Sequence, residues 1–87
     1  MGMMFRVFTE DVNRPKIEEI AGKFFHAFTM MPAQGVWNGQ KENSLVIEVI
    51  GDKRLEEPVN LMAQEIKLAN RQESVLVQRL LNSNWLV

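Results

Sequence analysis

Near the middle of this 87-residue chain, one Asn38-Gly39 pair separates two apolar stretches. A two-residue hairpin turn that matches the twist of antiparallel strands needs positive φ at both central positions, and Asn and Gly tolerate it. The stretch after the pair, Asn43 to Ile50, alternates as a strand does. Leu45, Ile47 and Val49 share one face, and Val46, Glu48 and Ile50 share the other. The second face is also mostly apolar, which predicts a central strand covered on both sides. Before the turn, Ala27 to Ala33 is short and apolar and contains Pro32. Proline removes a ladder donor, so this segment is expected at a sheet edge or a strand end.

Two segments switch to helical spacing. Ile17, Ile20, Ala21, Phe24 and Phe28 recur at steps of three and four, after Asn13 as a capping residue and Pro15 in the first turn. This predicts a helix over 14–26. Gly22 inside it weakens the helix but suits a close approach of the sheet. Leu55, Val59, Met62, Ile66 and Ala69 form a second stripe over 55–70, with Pro58 near the start and Asn70 as a left-handed stop. Met3 to Phe8 and Ser74 to Leu80 read as the first and last strands. The order is strand, helix, strand, strand, helix, strand over one domain, 1–87. That order is the ferredoxin-like βαββαβ class: a four-stranded antiparallel sheet with two helices on one face. The hairpin strand 43–50 and the first strand take the centre, and the last strand takes an edge beside the first.

Composition narrows the function classes. With 46% hydrophobic and 24% charged residues, the chain is expected to fold rather than stay disordered. Ten basic and eleven acidic residues leave a net charge of −1, so no global field favours nucleic acid or an anionic membrane. The central strands also lack the paired stacking aromatics of an RNA-recognition sheet. Absence of cysteine removes disulfides and thiolate chemistry. No segment has the length of a membrane span, and the first residues lack a signal-peptide pattern, so a cytoplasmic location is expected. The single histidine, His26, has no partner fixed by spacing. Glu18-Glu19 and Glu56-Glu57 would point about 100° apart on their helices, so neither pair forms an acid–base site. No catalytic set, metal site or cofactor is expected.

Residues 29–77 resemble a group of small, uncharacterised bacterial and phage-associated proteins. The residues that carry the likeness are Gly35-Val36-Trp37, Glu42-Asn43-Ser44 and Gln72-Glu73-Ser74-Val75. The resemblance implies that Trp37, Glu42, Gln72 and Glu73 lie together as a binding site, and it implies a phage or mobile-element origin. It implies no enzymatic activity.

Two functional readings follow. In the first, the chain is a non-enzymatic interaction protein, an adaptor or inhibitor, acting through a sheet face or the hairpin around Trp37. In the second, it forms a dimeric α+β barrel that binds a small molecule or nucleotide, as a regulator or small enzyme, with His26, Trp37 or Glu48 lining the pocket. Both readings expect a homo-oligomer, because helices on one side of the sheet cannot cover Val46, Glu48 and Ile50 on the other. Met30-Met31 beside Trp37 and Phe28, and likewise Trp85, form soft apolar area that either packs into the core or joins an adaptable interface.

Overall fold

A computed structural model describes residues 2–82, apart from the side chains of Trp37 and Asn82. The chain forms β1 (Gly2–Glu10), α1 (Arg14–Phe24), β2 (Thr29–Trp37), β3 (Gln40–Gly51), α2 (Glu56–Ala69) and β4 (Leu76–Asn82). The strands make one antiparallel sheet in the order β2-β3-β1-β4. Together with the two helices this is the ferredoxin-like α+β fold, with the predicted strand order.

The Asn38-Gly39 turn sets the register. Asn38 (φ 49°) and Gly39 (φ 77°) both take positive φ, so Trp37 pairs with Gln40 and the ladder closes back to Thr29 against Glu48. This pairing explains why β2 starts later than the apolar run Ala27 to Ala33 and ends later as well. Pro32 sits on an edge strand, as its missing donor requires. Pairing also carries β1 two residues beyond Phe8, to Glu10, into what the sequence presents as a turn.

The helices cover one sheet face. Phe5, Val7, Leu45, Ile47 and Val49 meet Ile17, Ile20, Ala21, Val59, Met62, Ala63 and Ile66 in a single core. Helix α1 stops at Phe24, short of the predicted end at 26. Phe25 turns to extended backbone (φ −134°, ψ 139°) and buries its own ring, while His26 is exposed. Asn13 precedes α1 but caps it only through its carbonyl, which accepts from Lys16 and Ile17; its side chain makes no cap bond and its backbone is left-handed. A Cβ at Gly22 would meet nothing within 4 Å, so no close approach of the sheet depends on that glycine.

Helix α2 enters through a 3-10 turn, Lys53–Leu55, whose N-cap Asp52 accepts from the Arg54 backbone N–H at 2.8 Å. The Arg54 side chain also bonds this carboxylate. These hydrogen bonds, the side-chain one first, pull the Asp52 carboxyl down to about 2. A depressed carboxyl contributes stability above its unfolded value and loses it as pH falls through the folded one. We therefore expect stability to decline as pH drops from about 4 toward 2, and Asp52→Asn to flatten that segment. Carboxyl NMR titration of Asp52 should show the midpoint directly, and a midpoint near 4 would reject the capping account.

The left-handed residue that ends α2 is Arg71 (φ 53°), one beyond the expected Asn70. Gln72 N–H donates to Lys67 O and Arg71 N–H to Leu68 O, which is the Schellman pattern. Asn70 stays on the near side because its amide donates to Val12 O at 3.1 Å.

Candidate functional site

The sheet face away from the helices is built in rows. Residues directly paired across antiparallel strands point the same way. Reading the register across all four strands gives a first row of Met31, Val46, Phe8 and Leu76. The next row is Thr29, Glu48, Arg6 and Gln78, and the third is Ile50, Met4 and Leu80. A polar band thus crosses the strands between two apolar bands. Leu76 is 61% exposed and Ile50 50%. Val46, at 6%, is already covered within the single chain, between Phe8 and Met31. In the middle of the polar band, Arg6 Nε donates to Glu48 Oε2 at 2.9 Å, and both side chains are partly withdrawn from water.

A second feature lies at the end of the sheet where β1 finishes and β3 begins. The loop after α2 passes over that end before entering β4. A cleft of about 490 Å³ opens there, with Phe8, Val12 and Leu76 as apolar wall and Glu10, Asp11, Glu42, Asn43, Ser44 and Gln72 among its polar lining. Gln72 holds the loop in place. Its Oε1 accepts from Glu10 N–H at 3.2 Å, and its Nε2 donates to Thr9 Oγ1 at 2.5 Å. Thr9 is buried, so this contact satisfies a hydroxyl out of reach of water. Asp11 is engaged by the Arg14 guanidinium, whose hydrogen bonds hold its carboxyl below the usual carboxylate range.

Of the residues expected to form one site, Glu42 and Gln72 line this cleft. Glu73 follows Gln72 as an exposed loop residue and is not among the lining groups. The backbone of Trp37 lies in the hairpin, paired with Gln40; its side chain is outside the described residues, as is Trp85. His26 lies before β2 and the backbone of Trp37 ends it, with the eight steps of about 3.3 Å from Thr29 to Trp37 between them, so the two positions are far apart in one chain. Phe8, the end of the apolar stretch, and Thr9, which pairing adds to β1 beyond it, also line the cleft. Because Gln72 makes two of the bonds that tie the loop down, one of them to the buried Thr9 hydroxyl, Gln72→Ala should cost about 1 kcal/mol. Urea denaturation measures it, and an unchanged midpoint would remove Gln72 from this structural role.

Among the described residues, no group of three or more His, Asp or Glu is placed to hold a metal ion, and no helix is long and apolar enough to cross a membrane. No known protein-family pattern matches the chain, and no curated protein matches its sequence. Solved structures do match its fold. A DUF3240 family protein from Shewanella baltica aligns at a TM-score of 0.69 and 8% identity, over 99% of this chain and 96% of that one. The PII-like nitrogen regulatory protein CPII of Thiomonas intermedia, bound to ADP, AMP and bicarbonate, aligns at 0.63 and 10% identity, over 98% and 96%. The B. subtilis GlnK–ATP complex aligns at 0.60 and 18% identity, over 91% and 81%. At such identities the likeness is one of fold.

Proposed function

We propose that this chain is a small non-enzymatic binding protein that works as an assembly of its own copies, joined through the open sheet face. The observation that carries the reading is the pair of apolar bands on that face, with Ile50 and Leu76 half or more exposed in the single chain. Leaving such a surface in water is unfavourable, and covering it releases about 25 cal/mol for each Å² of apolar area. The occupant that the face itself recommends is a second copy, since the same two bands and the charged pair between them recur on every chain. Sedimentation equilibrium should give a multiple of 10.1 kDa at micromolar concentrations. A mass of 10.1 kDa throughout that range would overturn the reading.

The end cleft supports a second reading, a small-molecule site. Fold neighbours are bound to ATP, or to ADP, AMP and bicarbonate. The cleft of this chain differs in charge from what such anions need: Glu10 and Glu42 line it, Asp11 is already paired with Arg14, and among the described residues no Lys or Arg lines it. A compact ligand bearing an amine or guanidine suits it better than a phosphate. Thermal-shift measurements with spermidine, arginine and ATP test this. A ligand present at 100 times its dissociation constant adds about 2.7 kcal/mol. We expect a shift with the cations and none with ATP, and the reverse would reject the assignment.

A further inference from the structure

We propose that two copies pack sheet on sheet about a two-fold axis parallel to the strands and running between β1 and β3, so that Arg6 of each chain meets the partner's Glu48. This rests on the self-assembly reading above and gives it one geometry. The axis follows from the register. Within one chain Arg6 and Glu48 share only the Nε–Oε2 bond. Among the described residues, the two terminal nitrogens of Arg6 and the second oxygen of Glu48 have no hydrogen-bond partner. They sit between two apolar bands, so any body that covers the face must offer a donor and an acceptor at its centre or strand these groups without water.

A second copy can do so in one of its two simple in-plane orientations. An axis running across the strands, along the polar band, lays Arg6 on the partner's Arg6 and Glu48 on the partner's Glu48, like charge on like. An axis parallel to the strands and midway between the two central ones exchanges β1 with β3. It lays the polar band on the polar band with opposite charges facing. The same operation sets Phe8 over the partner's Val46, Met4 over the partner's Ile50 and Leu76 over the partner's Met31. Packed sheets lie about 10 Å apart and cross at about 30°. The match is therefore best at the axis, where the four charges gather and where a long Arg side chain spans the gap. The footprint, four strands at about 4.8 Å by three rows at about 6.7 Å, is smaller than the roughly 800 Å² per partner of a standard interface. The dimer should accordingly be reversible.

The test uses the swapped variant Arg6→Glu/Glu48→Arg, which keeps the pair within each chain and so does not ask the fold to bury an unpaired charge. Facing itself, it restores every opposite-charge contact across the axis. Facing the wild type, it places Arg on Arg and Glu on Glu. Mixed in equal amounts, with one chain carrying a mass tag, the two should each form their own dimer, and the mixed dimer should be depleted at least tenfold below the statistical half. Free mixing would overturn the proposal. A wild-type assembly of three or more copies would also overturn it while leaving self-assembly standing, and a monomeric wild type would take both readings down. As a second arm, Arg6→Glu and Glu48→Arg should each be monomeric alone and should combine into a dimer of twice 10.1 kDa when mixed. If that mixture stayed monomeric, the facing of Arg6 on the partner's Glu48 would be wrong.

Discussion

Phe5→Ala should remove much of the stability of this domain. A chain of 87 residues is held together by roughly 4–13 kcal/mol, at 0.05–0.15 kcal/mol per residue. Phe5 is 1% exposed, lies on central strand β1 between Val49 and Arg79, and belongs to the core that joins the sheet to both helices. Truncating a buried Phe costs about 3–5 kcal/mol, from lost transfer energy and the cavity left behind. Urea denaturation followed by circular dichroism should show the midpoint collapse, whereas Leu68→Ala, at a side chain 75% exposed, should move it by less than about 0.5 kcal/mol. A Phe5→Ala loss below about 1 kcal/mol, far under the cavity range, would mean that the core is not arranged around this ring.

The order of elements was legible because two signals are strong and local. Asn38-Gly39 admits few conformations, and the stripe from Leu55 to Ala69 admits one period; right-handed crossovers then fix which strand lies where. Element ends were less legible because tertiary contacts decide them. Phe25 leaves α1 early to enter the core, and the register with β3 draws β1 out to Glu10. Asn70 gives up the left-handed position to Arg71 because its amide finds Val12, 58 residues away. The cleft was least legible of all. Gln72 and Thr9 are 63 residues apart, and no spacing rule reaches that far. The banding of the open face was hidden for a related reason. Alternation along Leu45 to Ile50 separates the two faces, but only the register shows that Arg6 stands beside Glu48 and that apolar residues align on either side.

That register also separates two residues on the same strand and the same face. Val46→Glu should strongly destabilise the fold, whereas Ile50→Lys should leave the fold intact and abolish assembly. Val46 is 6% exposed in the single chain, flanked by Phe8 and Met31, so a carboxylate there loses its water without gaining a partner. An uncompensated buried charge costs about 3–5 kcal/mol, a large part of the roughly 4–13 kcal/mol that holds so small a domain together. Desolvation raises the pKa of the introduced carboxyl, so the defect should ease as pH falls and the group protonates. Ile50 is half exposed and makes a smaller contribution to its own chain, so a lysine there should change monomer stability by less than about 1 kcal/mol. A second copy packed on the face would bury that ammonium among Met4 and Leu80, the other members of its row. The measurements are urea denaturation for the fold and sedimentation equilibrium for the assembly. A stable Val46→Glu would show that Phe8 and Met31 do not shield that position. A fully assembled Ile50→Lys would show that copies meet through some other surface.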